Sequence, residues 1–221
     1  MRRTLLTAAL LLVLPAVVSA GVNCPSCTIG VYDSINTRQN CGFWNTSQSA
    51  FKDLFLSIDY DPGSGISGLQ GIELSISGLP SGALPPSDQW FPNPAVIIGS
   101  DIRTPADTTG TAQGGKNIAW ENCLADNRNL GQITMISFAP VGNDRVIRVL
   151  HRFPPSNPEF PFLLFNQCDA PLYTQTSVTG GCYVLNPTVP CGKTVNGCTL
   201  VGCGPVAVEL KTWTRIKSLY R

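Results

Sequence analysis

Leu54, Leu56, Ile58 and Tyr60 share one parity of their segment, with Ser57 and Asp59 on the other. Ile72, Leu74 and Ile76 repeat the pattern against Glu73, Ser75 and Ser77. Successive side chains of a strand point to opposite faces, so a period of two with one apolar face predicts strands half-buried on a core. Between the two runs, Asp61-Pro62-Gly63-Ser64-Gly65 is strong turn chemistry. Further strands are expected at 28–32, 95–98, 117–121, 132–138, 145–151, 160–165, 172–178, 182–185 and 205–210, with loops at 78–94, 104–115 and 154–161. No stretch of helical period interrupts them before the C-terminus. Short strands at this spacing predict an all-β chain, an antiparallel β-sandwich. One domain over 21–210 is expected, with 187–205 as its cysteine-rich C-terminal part.

Met1-Arg2-Arg3, the apolar run from Leu5 to Val18 and the small residues Val18-Ser19-Ala20 have the three parts of a secretory signal peptide. Cleavage is expected after Ala20, and the run is too short for a membrane span. The Leu-rich, Arg-led form suits bacterial export. Removing 1–20 takes Arg2 and Arg3 with it, so the chain's 15 basic residues fall to 13 against 14 acidic ones, net −1. Such a balance argues against nucleic acid as partner, since neutralising phosphates needs clustered Lys and Arg. The mature chain is expected to be secreted or held in the periplasm or at the cell surface, with no integral span.

All nine cysteines, Cys24, Cys27, Cys41, Cys123, Cys168, Cys182, Cys191, Cys198 and Cys203, follow the expected cut. Export makes disulfides their expected fate. Sequence proximity groups them as 24/27/41, 168/182 and 191/198/203, with Cys123 free to join any group and one thiol left over. Cys24-Pro25-Ser26-Cys27 also has the spacing of a redox centre or half a zinc knuckle. It lacks the βαβ context of the first and a close-spaced second pair for the other.

Residues 211–221 differ from the rest. Trp213, Ile216 and Tyr220 share a helical face, and Lys211, Arg215, Lys217 and Arg221 concentrate positive charge. This predicts a short amphipathic helix with Thr212 at its N-cap. Two roles suit it: docking on the domain through Trp213, or serving as a tag for export or surface attachment.

Catalytic chemistry is sparse. His151, the one histidine, lies in an expected strand, and no G-x-S-x-G elbow or H-E-x-x-H pattern occurs. A glycosidase needs two carboxylates, for which Glu73, Glu121, Glu159, Glu209, Asp59 and Asp61 are the candidates. Asp59-Tyr60-Asp61 hints at calcium but lacks the rest of an EF-hand loop, and reads better as a strand running into a turn. Asp101, Asp107 and Asp126 lie in or beside loops. No metal or other cofactor is expected.

Aromatic residues are the stronger candidates for binding. Phe43-Trp44 follow Cys41, and Trp90-Phe91 sit in a Pro-rich stretch. Loop aromatics on a sandwich either stack on sugar rings or plug the ends of the core. Trp44, Trp90 and Phe91 are the ligand-binding candidates. Asn45-Thr46-Ser47 is a glycosylation sequon, relevant only in a eukaryotic secretory pathway.

Gly30-Val31-Tyr32-Asp33, Cys168-Asp169-Ala170-Pro171-Leu172-Tyr173-Thr174 and Thr212-Trp213-Thr214-Arg215-Ile216-Lys217-Ser218-Leu219-Tyr220-Arg221 carry a resemblance. On these residues the chain resembles a group of uncharacterised exported bacterial proteins with a cohesin-like or Ig-like sandwich. Their tail has the form T-W-x-x-[IV]-K-x-L-[YF]-R. The resemblance implies a binding or scaffolding role and brings no catalytic residues. The expected function is therefore a non-catalytic, secreted binding or scaffolding protein, its partner another surface protein or a polysaccharide. A carbohydrate-binding module using the loop tryptophans comes second, and a glycoside-active enzyme third.

Overall fold

Fourteen strands make up the residues that the computed structural model describes, namely 22–80, 87–99, 101–104, 114–125, 128–156, 158, 161–169 and 174–203. They are β1 (Val22–Tyr32), β2 (Cys41–Gly42), β3 (Phe51–Asp59), β4 (Leu69–Ser77), β5 (Ser87–Trp90), β6 (Val96–Ile98) and β7 (Lys116–Leu124). The series continues with β8 (Arg128–Ile136), β9 (Arg145–Leu150), β10 (Leu164–Gln167), β11 (Gln175–Gly180), β12 (Cys182–Leu185), β13 (Thr194–Val195) and β14 (Cys198–Thr199). The only helical element among these residues is a 3-10 turn at Pro62–Ser64, where Asp61 Oδ1 accepts the Gly63 N–H at 3.0 Å. No helix here is long and apolar enough to cross a membrane. The expected strand at 205–210 and helix at 211–221 lie outside the described residues.

The chain is all-β. Twelve strands form one hydrogen-bonded sheet in the order β2-β12-β9-β4-β10-β11-β1-β3-β8-β5, with β7 on β4 and β6 on β7. Pairing is mostly antiparallel, but β1 runs parallel to β11 and β2 parallel to β12, so the wholly antiparallel expectation is corrected. Long connections return the chain to strands laid down much earlier, which is how parallel neighbours arise.

The period-two runs emerge as β3 and β4. Leu54, Leu56, Ile58, Leu74 and Ile76 are fully buried, and they share one core cluster with Ile72 of β4 and with Ile147, Val149 and Phe165 from neighbouring strands. One face of an open sheet cannot exclude water by itself, so the sheet folds back over this cluster. Ser75, expected on a polar face, is buried as well. Its hydroxyl is satisfied by Thr104 and by the His151 carbonyl, each at 2.7 Å.

Two elements depart from expectation. Residues 87–90, expected to be loop, form an edge strand on β8. The prolines of this region stand before and after β5, where they remove no ladder hydrogen bond. Trp90 pairs with Gly131, and a Cβ at Gly131 would lie 2.9 Å from the indole, so glycine there makes room for the ring. At the other end, Thr194–Val195 and Cys198–Thr199 pair as a hairpin. Its turn residues Asn196 and Gly197 both have positive φ, at 45° and 77°, as a type I′ turn requires.

The disulfides follow strand neighbourhood rather than sequence proximity. Cys24 and Cys27 bond within β1. Asn23 pairs with Ser177 and Thr28 with Thr179, so four residues, 24–27, face Val178 alone, and the bridge closes this bulge. Cys168 bonds Cys123 rather than Cys182, because β7 and β10 flank β4 and both reach Leu69 at its start. Cys182 bonds Cys198 and Cys41 bonds Cys203, which breaks up the expected 191/198/203 group. Both bridges pin the β13–β14 hairpin beside β2 and β12, over a small second cluster containing Val184, Val195 and Leu200. Cys191 is the cysteine left free, and it is exposed.

Candidate functional site

The tryptophans expected to form a platform are inside. Trp44 and Trp90 are each 4% exposed and belong to the main core. Trp44 Nε1 donates to the Ser49 carbonyl at 2.9 Å, and Trp90 Nε1 donates to Asp88 Oδ2 at 2.5 Å. Neither ring offers a face to a sugar, so the loop-tryptophan platform is corrected: hydrophobic burial claimed both rings. Phe91 and Phe43 stay partly exposed, beside their buried neighbours. The tail residues Trp213, Ile216, Lys217, Tyr220 and Arg221 lie outside the described residues.

The carboxylate candidates do not converge. Asp59 accepts the Tyr32 hydroxyl at 2.7 Å and pairs with Arg38 at 2.9 Å, while Asp61 caps the 3-10 turn. Burial, then the hydrogen bond to Asp59 and its negative charge, push the Tyr32 phenol up to about 12. Asp101 is clasped by Arg103. Glu121 lies in β7, and Glu159, Glu209, Asp107 and Asp126 lie outside the described residues. Among the described residues no three of His, Cys, Asp and Glu gather around a common point.

Two hollows lie among the described residues. One, of about 150 Å³, is lined by Asp33, Gln39, Gly42, Phe43, Pro187 and the Cys41–Cys203 bridge. Its Asp33 is held in place through Oδ1, which accepts the Tyr183 hydroxyl at 2.7 Å and meets Lys52 Nζ.

The other, of about 90 Å³, lies on the face shared by β7, β4, β10 and β11. Register brings its side chains together. Glu73 on β4 stands opposite Asn117 on β7 and Leu164 on β10, while Asn166 on β10 stands opposite Gly71 on β4 and Gln175 on β11. Directly opposed residues share a face, so Glu73, Asn117, Asn166 and Gln175 form one polar trough with Gly71 as its low point. Glu73 Oε1 accepts the Ser156 N–H at 2.7 Å, and Asn117 Nδ2 donates to Ser156 Oγ at 3.2 Å. Among the described residues, the side-chain amides of Asn166 and Gln175 have no hydrogen-bond partner. Of these residues sequence reasoning singled out only Glu73. The amides come from separate strands, and no local spacing announces them.

Alongside the trough runs β6, which among the described residues pairs only with β7. Val96, Ile97 and Ile98 are 50%, 46% and 55% exposed. Ile97 stands opposite Ile118, which is fully buried, so β6 is the rim of the core, and no other described strand pairs with its second edge.

Comparison with known protein families finds no family model that matches the chain, and comparison with curated proteins finds no match.

Proposed function

We propose that this is a non-catalytic binding or scaffolding protein of the cell surface or periplasm, built on an Ig-like sandwich. The observation that carries the reading is the apolar edge strand β6. Edge strands are ordinarily guarded by Lys, Pro, bulges or covering loops, because their free backbone groups invite another strand. β6 carries three consecutive β-branched residues and no charge. Ile97 borders the core yet keeps nearly half its surface exposed, and an added strand with an apolar side chain opposite it would complete the burial. The occupant is an extended segment of an extracytoplasmic partner protein. Four disulfides support an oxidising compartment. The exported bacterial proteins that this chain resembles point to the same role.

The test is Ile97→Lys, which keeps strand length and sets an ammonium on the joining edge. Chemical cross-linking in cells exporting the wild-type protein is expected to give a discrete higher-mass adduct. The variant loses that adduct while the purified protein keeps its melting temperature. An adduct pattern unchanged by the substitution overturns the reading. So does turnover on a glycoside or ester panel that disappears with Glu73→Gln.

A further inference from the structure

We infer that the trough over β7, β4, β10 and β11 is a binding site for a neutral, polyhydroxylated ligand, a sugar unit of a glycan. The inference rests on the reading of the chain as a binding protein, but not on strand addition at β6.

Register and solvent access come first. Asn166, exposed, and Gln175, half-buried, stand directly opposite each other, and each presents two N–H donors and a carbonyl acceptor that no other described residue engages. Glu73 has one carboxylate oxygen committed to the Ser156 N–H, which leaves the other to accept. Asn117 has its amino group committed to Ser156 Oγ, which leaves its carbonyl. Donors and acceptors thus alternate over a short span. Sugar hydroxyls, each donating and accepting at once, match such an array.

Charge narrows the class. A carboxylate in the trough opposes phosphate, sulfate or an acidic sugar. One carboxylate among the lining residues is too few for a hard cation, which takes several charged oxygens. Arg152, whose Nη1 lies 3.3 Å from Ser156 Oγ, offsets the carboxylate from the far side of that serine. The balance favours an uncharged ligand. Shape agrees with it. Gly71 leaves a dip between the amides and the carboxylate, and the hollow of about 90 Å³ admits the hydroxyl-bearing edge of one ring rather than a buried molecule. Ile98, opposite Asn117 on the same face, supplies exposed aliphatic surface for the ring's C–H groups. Glycan binding on this protein thus falls to a polar sheet face, with the tryptophans in the core.

The test titrates the exported protein with neutral oligosaccharides of glucose, xylose, mannose and N-acetylglucosamine, followed by calorimetry. At least one is expected to bind with Kd below about 1 mM. Asn166→Ala with Gln175→Ala weakens it at least tenfold while the melting temperature holds, because these amides bond nothing among the described residues. Gly71→Val fills the dip and abolishes binding. A Cβ there meets Asn166 Nδ2 at 3.4 Å and the Ile118 carbonyl oxygen at 3.5 Å, ordinary contact for the first side-chain carbon, and Gly71→Ala is the milder variant should valine lower the melting temperature. No binding by any of these sugars, or equal binding by the wild type and both variants, overturns the inference. Failure of the β6 reading is distinct, since it is read by cross-linking of Ile97→Lys, a residue on the opposite face.

Discussion

The Tyr183 hydroxyl, on a fully buried ring of β12, donates to Asp33 Oδ1 at 2.7 Å across 150 residues of sequence. Lys52 on β3 closes on the same carboxylate oxygen, with its ammonium 6.0 Å from the centre of the Tyr183 ring. The cluster ties β12 and β3 to the end of β1. Tyr183→Phe keeps the ring and deletes one hydrogen bond to a charged acceptor, at an expected cost of about 2 kcal/mol. Urea unfolding is the measurement, with a lower midpoint and an unchanged slope as the expected result. An unaltered midpoint would mean that Lys52 alone satisfies the carboxylate.

One buried and one half-buried phenol, Tyr183 and Tyr32, bear on stability at alkaline pH. Burial, then the negative charge of Asp33 and the hydrogen bond to it, push the Tyr183 phenol well above its ordinary value of 10, and Tyr32 is pushed up to about 12. In the unfolded chain both ionise near 10, so from there upward the folded state holds protons that the unfolded state releases. Their contribution to stability is complete below pH 10 and drains as pH climbs toward and past 12. Unfolding midpoints measured from neutral pH upward are expected to fall above 10, and less steeply in Tyr32→Phe. Parallel slopes for the two proteins would remove Tyr32 from the explanation.

Lys116 and Asp88 form a nearly dry ion pair, with Nζ at 2.7 and 2.8 Å from the two carboxylate oxygens. Asp88 also accepts the Trp90 indole N–H. Asp88→Ala would strand a buried ammonium and an indole donor together, costing about 3–5 kcal/mol. Asp88→Asn retains an acceptor and should cost less than Asp88→Ala. Thermal melts of the two variants test the ranking, and equal losses would show that the charge, not the acceptor, matters.

The bridges enclose loops of very different size: 162 residues of separation for Cys41–Cys203, 45 for Cys123–Cys168 and 3 for Cys24–Cys27. Loop-closure entropy ranks the cost of paired serine substitutions at about 5, 4 and 2 kcal/mol respectively. Equilibrium unfolding checks the order. Thiol titration of the unreduced protein in denaturant should find a single reactive group, Cys191; three would mean one bridge is open.

The main strands were legible because burial imposes the period of two on Leu54–Ile58 and Ile72–Ile76. β5 was not, because its four residues are bracketed by prolines that read locally as loop. The Asn196-Gly197 turn carries a readable signal, two residues suited to positive φ, but the strands it joins are two residues long and too short to show a period. Disulfide partners depend on which strands become neighbours, so Cys123 and Cys168 meet only because β7 and β10 flank β4. The same dependence hides the trough. Glu73, Asn117, Asn166 and Gln175 are unremarkable polar residues until register sets them on one face. Trp44 and Trp90 illustrate the converse: residue type suggested a surface, and packing took them inside.

The Cys41–Cys203 bridge also divides the molecule mechanically. Tension applied between a point before Cys41 and a point after Cys203 passes through the covalent link, so the 161 residues between them cannot be drawn out by it. Among the described strands only β1 lies outside that loop, gripped by β3 on one side and β11 on the other. A pull along this path is resisted first by shear of the β1 ladders. Extension then stops at the sulfur–sulfur bond, with the trough and β6 still folded.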